Sequence, residues 1–328
     1  MSQYEKMISY EEAASFLENI LEFPKAWKTT FDNDKIEFLR FYMKQHATRV
    51  PFQNVTMAIV DPEKRRRPTE EELIAQGLSG IGGCCLNLNF FTKIVLQALG
   101  LNAFAVQGTH YLAPVEGTHC MCMVKLNEDE MYMVEVGAGY PFLDVIPMQN
   151  LPFQFTAGGY VNEFRQMADG KIGRFQIGGG LYGGSYVEKT ESLRTSWNLT
   201  PKNYEDFSYA MDKTFTSVPD SSLLKTNYFC RYFFPGEYKK LYVDSDASVD
   251  ISDSTRTDTP TDYVFIFKRR IVIGDKYCRK SVRQFDSYIE MVKEIEKCFP
   301  KLKLKDIQKA LDIFSTIEIK PSPYDTIL

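Results

Sequence analysis

Gly82-Gly83-Cys84-Cys85, His119 and Glu135 supply, in chain order, a thiol, an imidazole and a carboxylate. These are the three parts of an activated cysteine nucleophile: the imidazole takes the thiol proton, and the carboxylate orients the ring and stabilises its protonated form. A thiol is only a few per cent ionised at neutral pH, so an imidazole partner and the positive end of a helix both favour the thiolate. Position and partner point to Cys85, which falls near an expected helix start. Two buried packing cysteines would have the same spacing.

Only three histidines are present, which narrows the base to His46, His110 or His119. His119 opens a strand-like run in which alternate side chains face the core, so its ring can be aimed at Cys85. His46 sits in Gln45-His46-Ala47-Thr48-Arg49-Val50-Pro51, near a helix C-terminus, where a structural cap suits it better. His110, in Gly108-Thr109-His110-Tyr111, can line a pocket but has no carboxylate near it in sequence. Glu135 lies in an otherwise apolar stretch over 131–136, and burying an unpaired carboxylate costs several kcal/mol. It therefore needs a partner, and a bond to His119 would complete the trio; an exposed strand glutamate is the plainer alternative. Gly137-Ala138-Gly139 would let backbone N–H groups approach a phosphate, although a single Gly-x-Gly is weak evidence.

The elements that must position these groups change character near Gly100. Before it the apolar spacing is helical: Ala13, Phe16, Leu17, Ile20 and Leu21, then Phe38, Leu39, Tyr42 and Met43, with Pro51 ending the second stretch. Thr69-Glu70-Glu71-Glu72 reads as a capping-box start, and a helix over 85–99 closes at Gly100. After Gly100 come short β-like runs over 103–108, 119–126, 130–136, 174–177 and 184–187, separated by turn residues. Residues 203–212 again look helical, and 226–234, 262–269 and 270–273 strand-like. The Ser-, Asp- and Thr-rich stretch 245–261 reads as an excursion between strands, and helices are expected over 287–299 and 304–314.

A chain of 328 residues with 44% hydrophobic content can bury a sizeable core, in two or three domains. Its net charge of −4 offers no general basic field for nucleic acid. Lys64-Arg65-Arg66-Arg67 reads as a solvated segment, with attraction of a phosphate-bearing ligand as the sharper alternative. The N-terminus lacks a secretory pattern and no apolar run is long enough to span a bilayer, so no membrane partner is expected. Seven cysteines, an odd number without framework spacing, argue for free thiols and a cytoplasmic setting. The adjacent pair Cys84-Cys85 makes a poor disulfide, and Cys120-Met121-Cys122 lacks the second pair that would indicate zinc, so no metal is expected. Cys230, Cys278 and Cys298 read as small packing hydrophobes.

Taken together, the boxes resemble those of the arylamine N-acetyltransferase family. Its Arg-Gly-Gly-x-Cys box is matched by Ile81-Gly82-Gly83-Cys84-Cys85, with Asn89 four residues on, and that register selects Cys85 over Cys84. Arg49-Val50-Pro51-Phe52-Gln53-Asn54 is similar to the family's Val-Pro-Phe-Glu-Asn segment. His119 falls where the family's histidine opens a strand, and Val134-Glu135-Val136-Gly137-Ala138-Gly139 resembles its Val-Asp-x-Gly-x-Gly box. Tyr204-Glu205-Asp206-Phe207, followed by 222–230, is similar to the family's late helix and strand.

The resemblance implies an α+β fold with a cysteine-protease-like Cys-His-acid core. Residues 1–100 would form a helical domain carrying the nucleophile, and 101–215 a β-barrel domain carrying His119 and Glu135. An inter-domain segment and an α/β lid would occupy 216–328. It further implies that Cys85 takes the acyl group of acetyl-CoA or another acyl-CoA as a thioester, while His119 moves protons. An arylamine, hydrazine or related amine then accepts the group in a ping-pong cycle. Gly137 and Gly139 would cradle the CoA pyrophosphate. The chain departs from the family at Glu135, where Asp is usual, and at Ile81, where Arg is usual. An enzyme with another donor, such as malonyl or a longer acyl group, or one closing an intramolecular amide, shares these residues, as does a catalytically silent binding protein of the same fold.

Overall fold

The computed structural model describes residues 7–111, 115–139, 142–157, 160–177, 191–234, 237, 262–274 and 279–317. Three helices of the first hundred residues start where the local chemistry says they should. Tyr10–Asn19 and Glu70–Ser79 each begin with a full capping box, Ser9 with Glu12 and Thr69 with Glu72, and Asp34 caps Lys35–Arg49 through the Glu37 N–H. Gly80, at φ 65°, ends Glu70–Ser79 in the left-handed conformation that only glycine adopts without strain. Phe16 and Leu17 from the first helix, and Phe38, Leu39, Tyr42 and Met43 from the third, are buried. That burial of one face, more than propensity, holds such short helices in place.

Thirteen strands are described, of which eight form one antiparallel sheet. In chain order its members are β2 (Asn102–His110), β3 (His119–Lys125), β4 (Met131–Val134), β5 (Ile146–Pro147), β6 (Phe153–Ala157), β7 (Tyr160–Gln166), β8 (Ile172–Ile177) and β9 (Glu191–Lys202). They are arranged β5-β4-β3-β2-β9-β8-β7-β6, a nearly closed, barrel-like sheet. Register shifts at Val106/Gly108 and Arg174/Phe175 bend it toward closure. The second sheet has the order β1-β10-β11-β12-β13, with β1 (Phe52–Gln53) at its edge beside β10 (Tyr228–Phe233). β11 (Asp262–Phe267), β12 (Arg270–Gly274) and β13 (Arg279–Gln284) complete it. Helices Tyr288–Cys298 and Leu304–Thr316 share with this sheet a separate core containing Phe229, Val264, Ile266, Ile295 and Leu311.

The α+β fold expected from sequence is thus the observed one. Several details differ. β6, β7 and β9 were not expected, and residues 203–212 divide into a 3₁₀ turn, Tyr204–Phe207, and a helix, Ser208–Thr216. The strand expected over 184–187, the excursion over 245–261 and Cys278 lie outside the described residues. Arg66 and Arg67 of the cationic run are tied down, Arg66 by Glu72 and Arg67 by Glu205 and Asp212. No helix among the described residues is long and apolar enough to cross a membrane.

Candidate active site

The turn before Cys85 is built by glycine. Gly82 has φ +87°, and a Cβ there would lie 2.0 Å from the Pro51 carbonyl oxygen. The turn crosses the Pro51–Gln53 segment so closely that Gln53 N–H donates to Gly83 O at 3.1 Å. The helical run then begins at Cys85, passes through a π turn, Leu86–Phe90, and continues as Phe91–Ala98. π turns are rare and occur mostly at functional sites; here the turn buries Asn89 completely.

β3 packs against this helix. His119 to Val124 are all buried, as a strand covered on both faces requires. His119 and Met121 line a cavity toward the barrel interior. The intervening Cys120 presents its carbonyl to Asn89. Glu135 follows the last residue of β4 and is 2% exposed.

His119 Nε2 lies 2.9 Å from Glu135 Oε2. The other carboxylate oxygen accepts from Asn89 Nδ2 at 2.6 Å and from the Gly137 N–H at 2.8 Å. Three donors thus compensate the desolvation of a buried carboxylate. His119 and the Cys85 thiol are close enough that each shifts the ionisation of the other. The thiol also lies 3.7 Å from the Thr118 carbonyl oxygen.

Electrostatics follow from these contacts. Burial alone would lower the His119 pKa, but the Glu135 charge and the Cys85 contact outweigh it and raise it to about 10. Cys85 departs from the sequence expectation of a depressed thiol. A hydrogen bond with Cys84, then burial, push it well above the ordinary thiol range against the pull of His119. His110 shares the cavity with His119, and burial followed by the Arg174 charge lowers it to about 3, so it is neutral at pH 7.

The structure therefore brings Cys85, His119 and Glu135 together. Gly137 stands beside them, while Gly139 lies against Tyr228 and Phe52, each for steric reasons of its own. A Cβ on Gly137 would lie 2.8 Å from Cys85 Cα and 2.6 Å from Asn89 Nδ2. Gly139 has φ +61°, and its Cβ would lie 2.9 Å from the Tyr228 ring. Asp144, the next acid in the chain after Glu135, takes no part in the trio and pairs with Arg40 at 2.9 Å on the surface. His46 is not a cap: its ring is buried within Lys35–Arg49, and neither nitrogen has a hydrogen-bond partner among the described residues. Burial, then the Lys301 charge, lower its pKa to about 3. The sequence reading gave no role to Asn89, although its position one helical turn beyond Cys85 is the available signal.

A mixed fold that sets a helix-borne cysteine against an imidazole–carboxylate pair at the ends of adjoining barrel strands has the parts of a covalent group-transfer protein. Residues 35–240 match the sequence model of a family described as N-acetyltransferase, and the chain belongs to the arylamine N-acetyltransferase family, a family of acyltransferases. No curated protein sequence matches it. Among solved structures, the arylamine N-acetyltransferase of Mycobacterium abscessus is similar over 94% of this chain and 97% of its own, at 17% identity and TM-score 0.68. That of Salmonella typhimurium is similar over 94% and 100%, at 13% identity and TM-score 0.68. The Mycobacterium marinum enzyme in complex with CoA is similar over 92% and 99%, at 14% identity and TM-score 0.66.

Proposed function

We propose that the protein is an acyl-CoA-dependent N-acyltransferase, acetyl-CoA to arylamine or hydrazine, working by a ping-pong cycle through a thioester on Cys85. The observation that carries this reading is the 2.9 Å bond between His119 Nε2 and Glu135 Oε2, with the Cys85 thiol on the same imidazole. The reactive form has a proton on His119 and none on Cys85. Glu135, itself held by Asn89 and Gly137, stabilises that imidazolium.

In the first half-reaction the Cys85 sulfur attacks the acyl carbonyl, the carbon–sulfur bond to CoA breaks, and the departing thiolate takes the proton from His119. In the second, the amine attacks the thioester, its proton passes to His119, and the Cys85 sulfur leaves. Backbone N–H groups at the start of the Cys85 helix hold the oxyanion. The 137–139 turn, with Gly137 and Gly139, is assigned to the CoA pyrophosphate on the family resemblance, although the Gly137 N–H is already donated to Glu135; CoA itself as donor is supported by the complex of the M. marinum enzyme. The cysteine content supports a cytoplasmic setting.

Initial rates measured while acetyl-CoA and a simple arylamine are varied together test the cycle. Parallel double-reciprocal lines are expected, and converging lines would require a ternary complex instead. One observation favours a second donor: Arg174 lines the same cavity as His119 and Glu135, a setting that suits a carboxylate on the acyl group. If malonyl-CoA acylates the protein faster than acetyl-CoA, and Arg174→Met reverses that order, the malonyl reading stands.

A further inference from the structure

Cys84 and Cys85 are adjacent buried thiols, close enough for each to shift the pKa of the other. Only Cys85 belongs to the trio described above. Cys84 Sγ lies 3.1 Å from Asn87 Oδ1, and its residue lines a different cavity, of about 260 Å³, with Gln53, Thr56, Gln76, Asn87 and Phe215 among its walls. None of the residues lining the His119 cavity lines this one. A small molecule in it meets the Cys84 thiol, with Cys85 the next residue along the chain. The cavity is open to solvent and mixed in character, Met57, Val60 and Phe215 facing Lys64, Arg65 and Glu72, and its volume exceeds the roughly 150 Å³ that lodges a benzene ring.

We infer that Cys84 and Cys85 form a vicinal dithiol site for a trivalent organoarsenic ligand, which enters through the cavity behind Cys84. The step is a condensation without redox change. An aryl arsenoxide gains two arsenic–sulfur bonds and loses its oxygen as water, formed with the two thiol protons. Three observations favour this ligand over other thiophiles. A disulfide demands a sulfur–sulfur bond of about 2 Å across α-carbons only ~3.8 Å apart, outside the usual range, whereas one arsenic atom, bonded separately to each sulfur, leaves the two neighbouring sulfurs apart. A metal ion needs further donors, and no group of three or more His, Cys, Asp or Glu suited to a metal occurs among the described residues; an arylarsenic brings its own carbon as third ligand. The other close pair, Cys120 and Cys122, is separated along β3 by two strand steps, roughly 6.6 Å, too far for one atom to bridge easily. The Cys85 contact also lowers the Cys84 pKa, which makes that sulfur the first to attack. Capture of Cys85 would silence acyl transfer, a consequence that rests on the proposed function; the adduct itself does not.

The test treats the full chain with one equivalent of phenylarsine oxide and follows intact mass and titratable thiols. The wild-type protein should gain one reagent minus water, lose two thiols, resist excess glutathione and release the adduct to 2,3-dimercaptopropanol. Because the second bond is intramolecular, glutathione should strip the adduct from Cys84→Ser or Cys85→Ser on the order of 10²-fold faster, and Cys122→Ser should behave as wild type. Circular dichroism of each variant separates lost binding from lost folding, and Cys84→Ala provides a second removal of the sulfur. A glutathione-resistant adduct in a folded Cys84 variant, or loss of only one thiol in the wild type, would overturn the site. An adducted wild type that still transfers acyl groups would instead refute the nucleophile assignment and leave the dithiol intact.

Discussion

Asn89 Nδ2 lies 2.6 Å from Glu135 Oε1, the carboxylate oxygen that His119 does not use. The same nitrogen donates to Cys120 O at 2.7 Å, while Asn89 Oδ1 accepts from Val136 N–H at 2.9 Å. One amide, presented by the π turn after Cys85, therefore joins the Cys85 helix to β3 and to the segment after β4. Removing it leaves Glu135, the Cys120 carbonyl and the Val136 N–H short of partners at once.

Asn89→Ala should lower kcat by roughly 10–100-fold, as loss of a supporting hydrogen bond to a reactive group commonly does. It should also reduce stability by about 1–3 kcal/mol for each buried group left unpaired. Steady-state rates and a denaturant titration on the same preparation check both, and wild-type kcat in a destabilised protein would make Asn89 purely structural.

Glu135→Asp restores the family's usual acid yet should impair this chain. His119, Asn89 and the Gly137 N–H converge on a glutamate, and shortening it by one methylene displaces the carboxylate by about 1 Å, enough to cost ~10²-fold. Single-turnover acylation is the relevant measurement. Activity at or above wild type would mean that the backbone adjusts to the shorter acid.

Cys84→Ala should make Cys85 more reactive toward iodoacetamide at neutral pH. The hydrogen bond with Cys84 is the largest influence raising the Cys85 thiol, so removing it moves the alkylation profile to lower pH. An unmoved or higher profile would show that burial dominates.

Stability should fall on both sides of neutrality. His46 and His110 are held near 3 in the folded protein, each below an ordinary 6.5. Their neutral forms stabilise it fully above pH 6.5, and that contribution disappears as pH falls toward 3. His119, raised to about 10 from 6.5, has the opposite sign: its stabilisation is complete below 6.5 and is lost as pH climbs through 10. Melting temperatures from pH 4 to 10 should show a maximum between these limits. His46→Phe should lose less than wild type on going from pH 7 to 5; an equal loss would contradict a buried neutral ring.

Gly137→Ala should fold poorly or react slowly. Its new methyl would sit 2.8 Å from Cys85 Cα and 2.6 Å from Asn89 Nδ2, and overpacking of this kind costs about 1–3 kcal/mol. A variant as stable and as active as wild type would mean that the turn has slack.

The meeting of Cys85, His119 and Glu135 was legible in sequence because it rests on rarities: three histidines, and an acid at the end of an apolar run. The capping boxes at Ser9 and Thr69 and the stop at Gly80 were legible because their hydrogen bonds are local. β6, β7 and β9 were not. The barrel buries Asn162 of β7, and polar β9 carries only two buried residues, Thr195 and Trp197, so neither shows the apolar alternation of a half-buried strand. β1 is two residues long and acquires its meaning only by pairing with Phe229 and Cys230, far along the chain. The Cys84–Cys85 contact depends on side-chain direction at a helix start, which spacing does not encode, and it reverses the expected shift of the thiol.

Intact mass spectrometry after brief incubation with acetyl-CoA tests the thioester most directly. The wild-type protein should gain one acetyl group, release it when an arylamine is added, and yield the modified peptide containing Cys85, while folded Cys85→Ser should gain no thioester. A wild type that transfers acetyl groups without ever carrying one, or a Cys85→Ser variant with undiminished transfer, would contradict it.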